Sequence, residues 1–179
     1  MIAAFDIAAG TTGWCVGPAG GPVETGSFRL PPFASDIGGL FLAYQRWLDG
    51  FLLGDQIRLV AFEKPVRPFA SLNLDTARKL YGLAGLVEME AKRRGIAVRE
   101  VNNQTAKKLC YGSARLKSAE AKKVAVPRAR LWGFDPKGHD EADACAVWLV
   151  VIEKHHPEAF KAWEARRRAA GAEAGEALL

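Results

Sequence analysis

The sequence predicts an α/β fold, in which a mixed five-stranded sheet is covered by helices on both faces. The predicted order is three short strands, a helix, a continuously apolar strand, a helix, a fifth strand and then further helices. The 179 residues and the 49% apolar content suffice for one hydrophobic core. We therefore expect a single domain over residues 1–165 and a flexible, Ala/Glu/Gly/Arg-rich tail over 166–179.

Three strands are predicted at the start of the chain. Residues 2–7 form an apolar run, and a glycine-containing turn separates it from a second strand around 14–16. A third strand is predicted over 23–30, and Ser35 or Asp36 is suited to cap a helix that ends near Leu53. A fourth strand is predicted over 58–63, in which residues 59–62 are continuously apolar before Glu63, as is typical of a central strand covered on both faces.

The second half of the chain is mainly helical in its apolar pattern. A long amphipathic helix is predicted over 72–94, and a fifth strand over 96–101 follows Gly95. A short helix over 104–110 and a helix opened by Ser118 come next. The segment 139–152 is apolar almost all round, so we expect this helix to be buried against the sheet.

The composition argues against secretion and against a membrane span. The N-terminus lacks a basic segment followed by a long apolar one, and no stretch reaches the roughly 18 apolar residues that a span needs. Cys15, Cys110 and Cys145 form no CxxC pair, so we interpret them as small core residues of a protein in a reducing compartment. The expected location is the cytoplasm.

Positive charge is concentrated in one segment. Residues 92–130 hold twelve Lys or Arg and only two Glu, a net charge of +10, whereas the whole chain carries +5, so the remainder carries −5. Such asymmetry indicates a surface for a polyanion, because basic side chains that neutralise phosphates supply sequence-independent affinity for nucleic acid. The alternative is a solvated helix face.

Four acidic residues stand where an isolated charge is costly. Asp6 lies in the first core strand, Glu63 ends the fourth, and Asp140 and Asp143 open the buried helix. The last two are three residues apart, so their Cβ atoms lie roughly 5 to 6 Å apart on one helix face. If the helix packs on the two strands, the four form a cluster of all-oxygen ligands, which suits Mg²⁺ or Mn²⁺.

Each acidic residue also has a simpler explanation. Asp140 could stabilise the positive end of the helix dipole, and Glu63 could pair with Lys64 or Arg67. His139 could be a metal ligand, an acid that protonates a leaving group, or an ordinary residue of the helix start.

The residues that surround these acids resemble the signature of RuvC-type Holliday junction resolvases. The matching segments are Phe5-Asp6, Thr12-Gly13-Trp14, Ala61-Phe62-Glu63 and Asp140-Glu141-Ala142-Asp143-Ala144. The resemblance extends to about residue 152: 80–87 is similar to the family's dimer-forming helix, and 102–123 to its basic junction-binding segment. The chain differs from the family in the Ile7-Ala8 pair after Asp6 and in the two prolines after Glu63.

The resemblance implies a ribonuclease-H-like fold, a homodimer and metal-dependent cleavage of four-way (Holliday) DNA junctions by paired nicks. It makes Asp6, Glu63, Asp140 and Asp143 the catalytic ligands of two Mg²⁺ or Mn²⁺ ions, which activate a water and stabilise the leaving oxygen. His139 and Lys117 are possible auxiliary residues, although Lys117 could be a plain phosphate contact. Phe69 is either a base-stacking wedge or a core residue. The expected DNA-binding residues are Lys107, Lys108, Arg115, Lys117, Lys122, Lys123 and Phe69.

Other functions remain open on sequence alone. The same chemistry would serve a nuclease that acts on flaps, forks or RNA-containing hybrids. The basic segment alone would suffice for a non-catalytic module that binds branched DNA. Asp6 with the turn 10–13 also resembles the phosphate loop of actin-like ATPases, which normally need a second similar domain that a chain of this length does not supply.

For the dimer, the predicted long helix offers the small residues Gly82, Ala84, Gly85 and Ala91 for close helix approach. The same residues could instead be used entirely in packing on the protein's own sheet.

Overall fold

A computed structural model describes residues 1–32, 36–53, 56–65, 73–116, 118–173 and 175. Within these residues the strands form one sheet with the order β3-β2-β1-β4-β5. The strands are β1 (Ile2–Asp6), β2 (Thr11–Gly17), β3 (Glu24–Arg29), β4 (Leu59–Glu63) and β5 (Ala97–Val101). The first three pair antiparallel, whereas β4 and β5 run parallel to β1. The predicted mixed five-stranded sheet is confirmed.

Helices cover both faces of this sheet, as predicted. The described helices are α1 (Ile37–Phe51), α2 (Leu74–Arg93), α3 (Asn103–Tyr111), α4 (Ser118–Leu131), α5 (His139–His155) and α6 (Pro157–Glu173). One core lies between the sheet and α1 and α2, and it contains Phe5 and Phe62. The other lies between the opposite face and α3 to α6, and it contains Ala4 and Ala61. The small alanines on this second face let α5 lie close to the central strands.

Two helix starts show which side chains define the boundaries. Asp36 caps α1, since its Oδ1 accepts a hydrogen bond from the Gly39 N–H at 2.8 Å; Ser35, the other predicted cap, lies outside the described residues. Helix α2 begins at Leu74 instead of residue 72, because Asn73 caps it by accepting from the Asp75 N–H at 2.9 Å.

Helix α6 extends along residues that the sequence analysis assigns to a tail. It begins after α5 and remains helical to Glu173. Trp163 anchors it, because its indole N–H donates to the Ala19 carbonyl oxygen at 2.8 Å and its ring is buried against α5. The guanidinium of Arg166 lies 4.6 Å from the centre of that ring, a cation–π contact. The domain boundary at 165 and the flexibility beyond it stay predictions.

The three cysteines are free and buried, which confirms that they are small core residues. All of them belong to the core between the sheet and α3 to α6. No helix among the described residues has both the length and the apolar character needed to cross a lipid bilayer.

Candidate active site

Asp6 and Glu63 lie side by side at one edge of the sheet. They end β1 and β4, which run parallel with Phe5 opposite Phe62, so the two carboxyl ends meet. Side chains alternate along a strand, so Asp6 points to the same face as Ala4, and Glu63 to the same face as Ala61. That face is the one that α5 covers.

Helix α5 brings Asp140 and Asp143 to the same edge. Its first turn crosses β2 at Gly13, the residue paired with Asp6, where a Cβ atom would lie 2.0 Å from the backbone oxygen of Asp140. Only glycine therefore allows this approach. Glu141 fixes the turn from the other side: its buried carboxylate accepts from the Lys137 N–H at 2.9 Å and from the Thr25 hydroxyl at 3.3 Å.

The four carboxylates act on one another electrostatically. Burial raises the pKa of Asp6 well above its ordinary value, and the negative charges of Asp143, Glu63 and Asp140 raise that pKa further. Burial likewise raises the pKa of Glu63 and of Asp143. The ammonium of Lys107 opposes all three increases. The predicted acids therefore share one site, in which negative charge exceeds the positive charge beside it.

Helix α3 supplies two contacts that the sequence analysis missed. The Tyr111 hydroxyl donates a hydrogen bond to Asp143 Oδ1 at 2.6 Å, and the Asn103 side-chain amide donates to Glu63 Oε1. Lys107, predicted only as a DNA contact, lies between them on the same helix. These residues are four apart, and this spacing was the signal available in the sequence, since it places them on one helix face.

The remaining predicted site residues have different surroundings. His139 is half-buried, and its Nε2 lies 3.2 Å from Asp140 Oδ1, so it stands at the rim of the carboxylate cluster. Lys64 pairs with Glu100 at 3.1 Å and not with Glu63, which removes one simpler explanation for that glutamate. Lys117 and Phe69 lie outside the described residues.

The exposed cations of the basic segment lie on the helices next to the site. Lys108 on α3, Arg115 after it, and Lys122 and Lys123 on α4 are exposed. Helices α3 and α4 pack on each other and on α5. The exposed lysines therefore belong to helices that pack against the helix carrying Asp140 and Asp143.

The donor set fits a hard divalent cation. Among the residues that the structure describes, no three His, Cys, Asp or Glu side chains converge tightly enough to hold a metal ion as they stand. The four carboxylates nevertheless offer only oxygen ligands, which Mg²⁺ and Mn²⁺ prefer. Added positive charge would also relieve the repulsion that raises the pKa of Asp6.

Known proteins resemble this chain in sequence and in structure. No family model matches the chain. The crossover junction endodeoxyribonuclease RuvC of Corynebacterium jeikeium (strain K411) is 30% identical over 131 residues, which cover 70% of this chain and 74% of that protein. The Thermus thermophilus RuvC structure aligns with a TM-score of 0.58 and 17% identity over 97% of this chain and 96% of that one.

The T. thermophilus RuvC in complex with a Holliday junction substrate aligns with a TM-score of 0.62, again at 17% identity, over 97% of this chain and 95% of that one. At this identity the two solved structures establish the fold, and the expected ribonuclease-H-like architecture is confirmed. The sequence match to the C. jeikeium protein extends over most of both chains. This chain belongs to the RuvC family of crossover junction endodeoxyribonucleases.

Proposed function

We propose that this chain is a divalent-metal-dependent endonuclease that resolves four-way DNA junctions by paired nicks and works as a homodimer. One observation carries the proposal: four carboxylates lie together at a sheet edge beside exposed basic helices, and the pKa values of Asp6, Glu63 and Asp143 are raised there. Two relatives add support, since one is named a crossover junction endodeoxyribonuclease and another binds a Holliday junction substrate.

The proposed roles follow from the surroundings of each side chain. Asp6, Glu63, Asp140 and Asp143 would hold Mg²⁺ or Mn²⁺, with two ions per site. A divalent ion held there would lower the pKa of a water and stabilise the negative charge that develops on the leaving oxygen. Lys107 adds a fixed positive charge to the carboxylate cluster, where it also attracts the phosphate.

DNA binding and DNA cleavage should be separable, because the exposed helix lysines are positive and the carboxylates of the site are negative. The exposed lysines on α3 and α4 attract the DNA backbone without needing the carboxylates. The carboxylates themselves repel phosphate, so removing one of their charges should leave binding intact or slightly tighter. A cleavage defect without a binding defect is the signature of this arrangement.

The experiment compares Asp6→Asn and Asp143→Asn with the parent on a labelled four-way junction. Both variants should lose Mg²⁺-dependent cleavage while retaining junction binding. Glu153→Gln is the matched control, because Glu153 is an exposed carboxylate at the far end of α5. Either aspartate variant that still cuts with Mg²⁺ would refute the assignment of its carboxylate.

Substrate class needs a separate test. We expect the parent to cut four-way junctions at paired, symmetric positions in preference to flaps, forks and RNA–DNA hybrids. One panel of these labelled substrates with Mg²⁺ decides the question. Preferential cutting of flaps or forks would instead identify a relative with the same chemistry and another substrate.

The proposed dimer uses the outer face of α2. Leu74, Tyr81 and Met89 are 78%, 44% and 42% exposed, and Gly85 has open space where a Cβ would be. These positions are separated by seven, four and four residues, so they form one apolar stripe. A junction presents two equivalent strands, whereas the described residues of one chain form one such carboxylate cluster, so a two-fold contact along this stripe would supply the second cluster.

Most of the small residues predicted for the dimer have another role. Ala84 and Ala91 are buried in the protein's own core. A Cβ at Gly82 would lie 2.1 Å from the ring of Phe41, so this glycine lets α2 pack on α1. For these three residues the packing within the protein supports the alternative left open by the sequence, and Gly85 is the small residue that faces open space.

A further inference from the structure

One face of α3 contacts the carboxylate cluster at three successive turns. Asn103, Lys107 and Tyr111 are four residues apart, so their side chains follow one another along the helix at about 6 Å per step. The first donates to Glu63 and the last to Asp143, while the lysine between them acts on both carboxylates by charge. The outer two donors are neutral.

The Tyr111 hydroxyl is held in place by its surroundings. The residue is only 4% exposed, and its ring belongs to the core under α5. Directly after it, Gly112 ends α3 in the left-handed conformation with φ 83°. The indole N–H of Trp132, the residue directly after α4, donates to the neighbouring Cys110 carbonyl oxygen at 3.2 Å, which holds this end of α3 in place. The hydroxyl therefore meets Asp143 from a fixed direction.

We propose that Tyr111 is a positioning residue of the active site, and that Asn103 has the same role for Glu63. Each donates to one oxygen of its carboxylate, which fixes the plane of that carboxylate and leaves its other lone pairs for a divalent cation. This inference rests on the proposed nuclease function, and it concerns residues outside the four carboxylates.

The Tyr111 hydroxyl and the Asn103 amide are both uncharged, and this is compatible with metal binding by the carboxylates that they orient. An arginine or lysine in either position would also fix the carboxylate, but its charge would compete with the cation for the same oxygens. Neutral groups orient a ligand without reducing the negative charge that attracts the metal.

The decisive variant is Tyr111→Phe, which removes the hydroxyl and keeps the ring. Tyr44→Phe is a matched control: Tyr44 is fully buried, and its hydroxyl lies near that of Thr12 without reaching hydrogen-bond geometry with any described residue. Asn103→Ala is a second, independent variant, because Asn103 lies on the first turn of α3 and is only half-buried.

The readout is Mn²⁺ binding by the full chain without DNA, followed through the electron paramagnetic resonance signal of free Mn²⁺. We expect Tyr111→Phe and Asn103→Ala each to weaken Mn²⁺ binding by about tenfold or more. Tyr44→Phe should bind Mn²⁺ as the parent does. Junction binding in EDTA should be the same for all four proteins, and saturating Mn²⁺ should restore most of the cleavage that the two positioning variants lose.

The outcomes separate this inference from the proposed function. If the parent binds Mn²⁺ and cuts junctions, but both variants bind Mn²⁺ as tightly as Tyr44→Phe does, the positioning role is refuted and the nuclease remains. A parent that neither binds Mn²⁺ nor cuts junctions overturns both. If Tyr111→Phe fails to fold, the Asn103→Ala result decides alone.

Discussion

Replacing Gly13 by alanine should disable cleavage while leaving the chain folded. Gly13 pairs with Asp6 in the sheet, and α5 crosses it at the backbone of Asp140. An added Cβ would lie 2.0 Å from the Asp140 oxygen, 2.2 Å from its carbonyl carbon and 2.8 Å from the Glu141 nitrogen. All three atoms are backbone, so no rotation of a side chain can relieve the overlap.

The size of the displacement follows from these distances. Real Cβ atoms essentially never approach another heavy atom closer than 3.0 Å, so the first turn of α5 must retreat by about 1 Å from β2. A misplacement of about 1 Å at a catalytic group can reduce the rate on the order of 100-fold. Overpacking of this kind costs about 1 to 3 kcal/mol of stability, which a domain with a typical unfolding free energy of about 5 to 15 kcal/mol survives.

The assay measures three quantities on Gly13→Ala: the single-turnover rate on a four-way junction with saturating Mg²⁺, junction affinity in EDTA, and the melting temperature. The rate should fall about 100-fold, affinity should be unchanged, and melting should remain cooperative at a lower temperature. Gly50→Ala is the control, because a Cβ at Gly50 meets nothing within 4 Å. A Gly13→Ala variant with the parent's rate and melting temperature would refute the described contact between β2 and α5.

Three further predictions concern charge, assembly and pH. Neutralising the exposed Lys108, Lys122 and Lys123 together should weaken binding to all DNA sequences alike. The slope of log affinity against log salt should fall by about 0.9 per lost phosphate contact. The control Lys161→Gln, at a lysine on α6 that pairs with Glu158, should leave the slope unchanged. Light scattering should give twice the monomer mass for the junction-bound protein, and a supercoiled cruciform plasmid should be linearised without accumulation of nicked circles; a bound monomer would refute the paired-nick proposal. Burial opposes the ionisation of Glu90, but hydrogen bonds from Gln45, Arg94 and Arg93 outweigh it and lower the pKa of this carboxyl from its ordinary value of 4.5. The stabilisation from the ionised carboxylate is therefore complete above the ordinary pKa, and it is lost as the pH falls through the lowered pKa. The melting temperatures of the parent and Glu90→Gln should therefore differ most near neutral pH and converge in acid, and a difference independent of pH would contradict the assigned ionisation.

Sequence patterns were sufficient for the strand and helix order and for singling out four candidate acids. A continuous apolar run that ends in Glu63 and an acid inside the first strand are local features, and both reflect the cost of burying charge. Apolar residues on all sides of helix α5 predicted that this helix is buried. The start of α2 was misplaced by two residues because the cap that sets it, Asn73, has a weaker signal than the apolar periodicity.

Contacts between elements far apart in the chain were not predictable in this way. The spacing of Asn103 and Tyr111 shows that they share a face of α3, but not which element that face meets. Their partners, Glu63 and Asp143, are 40 and 32 residues away. The same limit applies to Gly82, because a small residue on an amphipathic helix suits a partner subunit and the protein's own α1 equally well.

The sequence by itself therefore determined the α/β class, the strand and helix order and the basic segment, and it singled out four candidate acids. Each of these depends on local periodicity or on the burial cost of a single charge, which adjacent residues reveal. Only the tertiary structure decided that Gly13 admits the first turn of α5, that neutral donors from α3 hold two of the carboxylates, and that the apolar stripe left exposed on α2 is the one through Leu74, Tyr81 and Met89. These features depend on which faces meet when the helices pack on the sheet, and packing is a property of the whole chain.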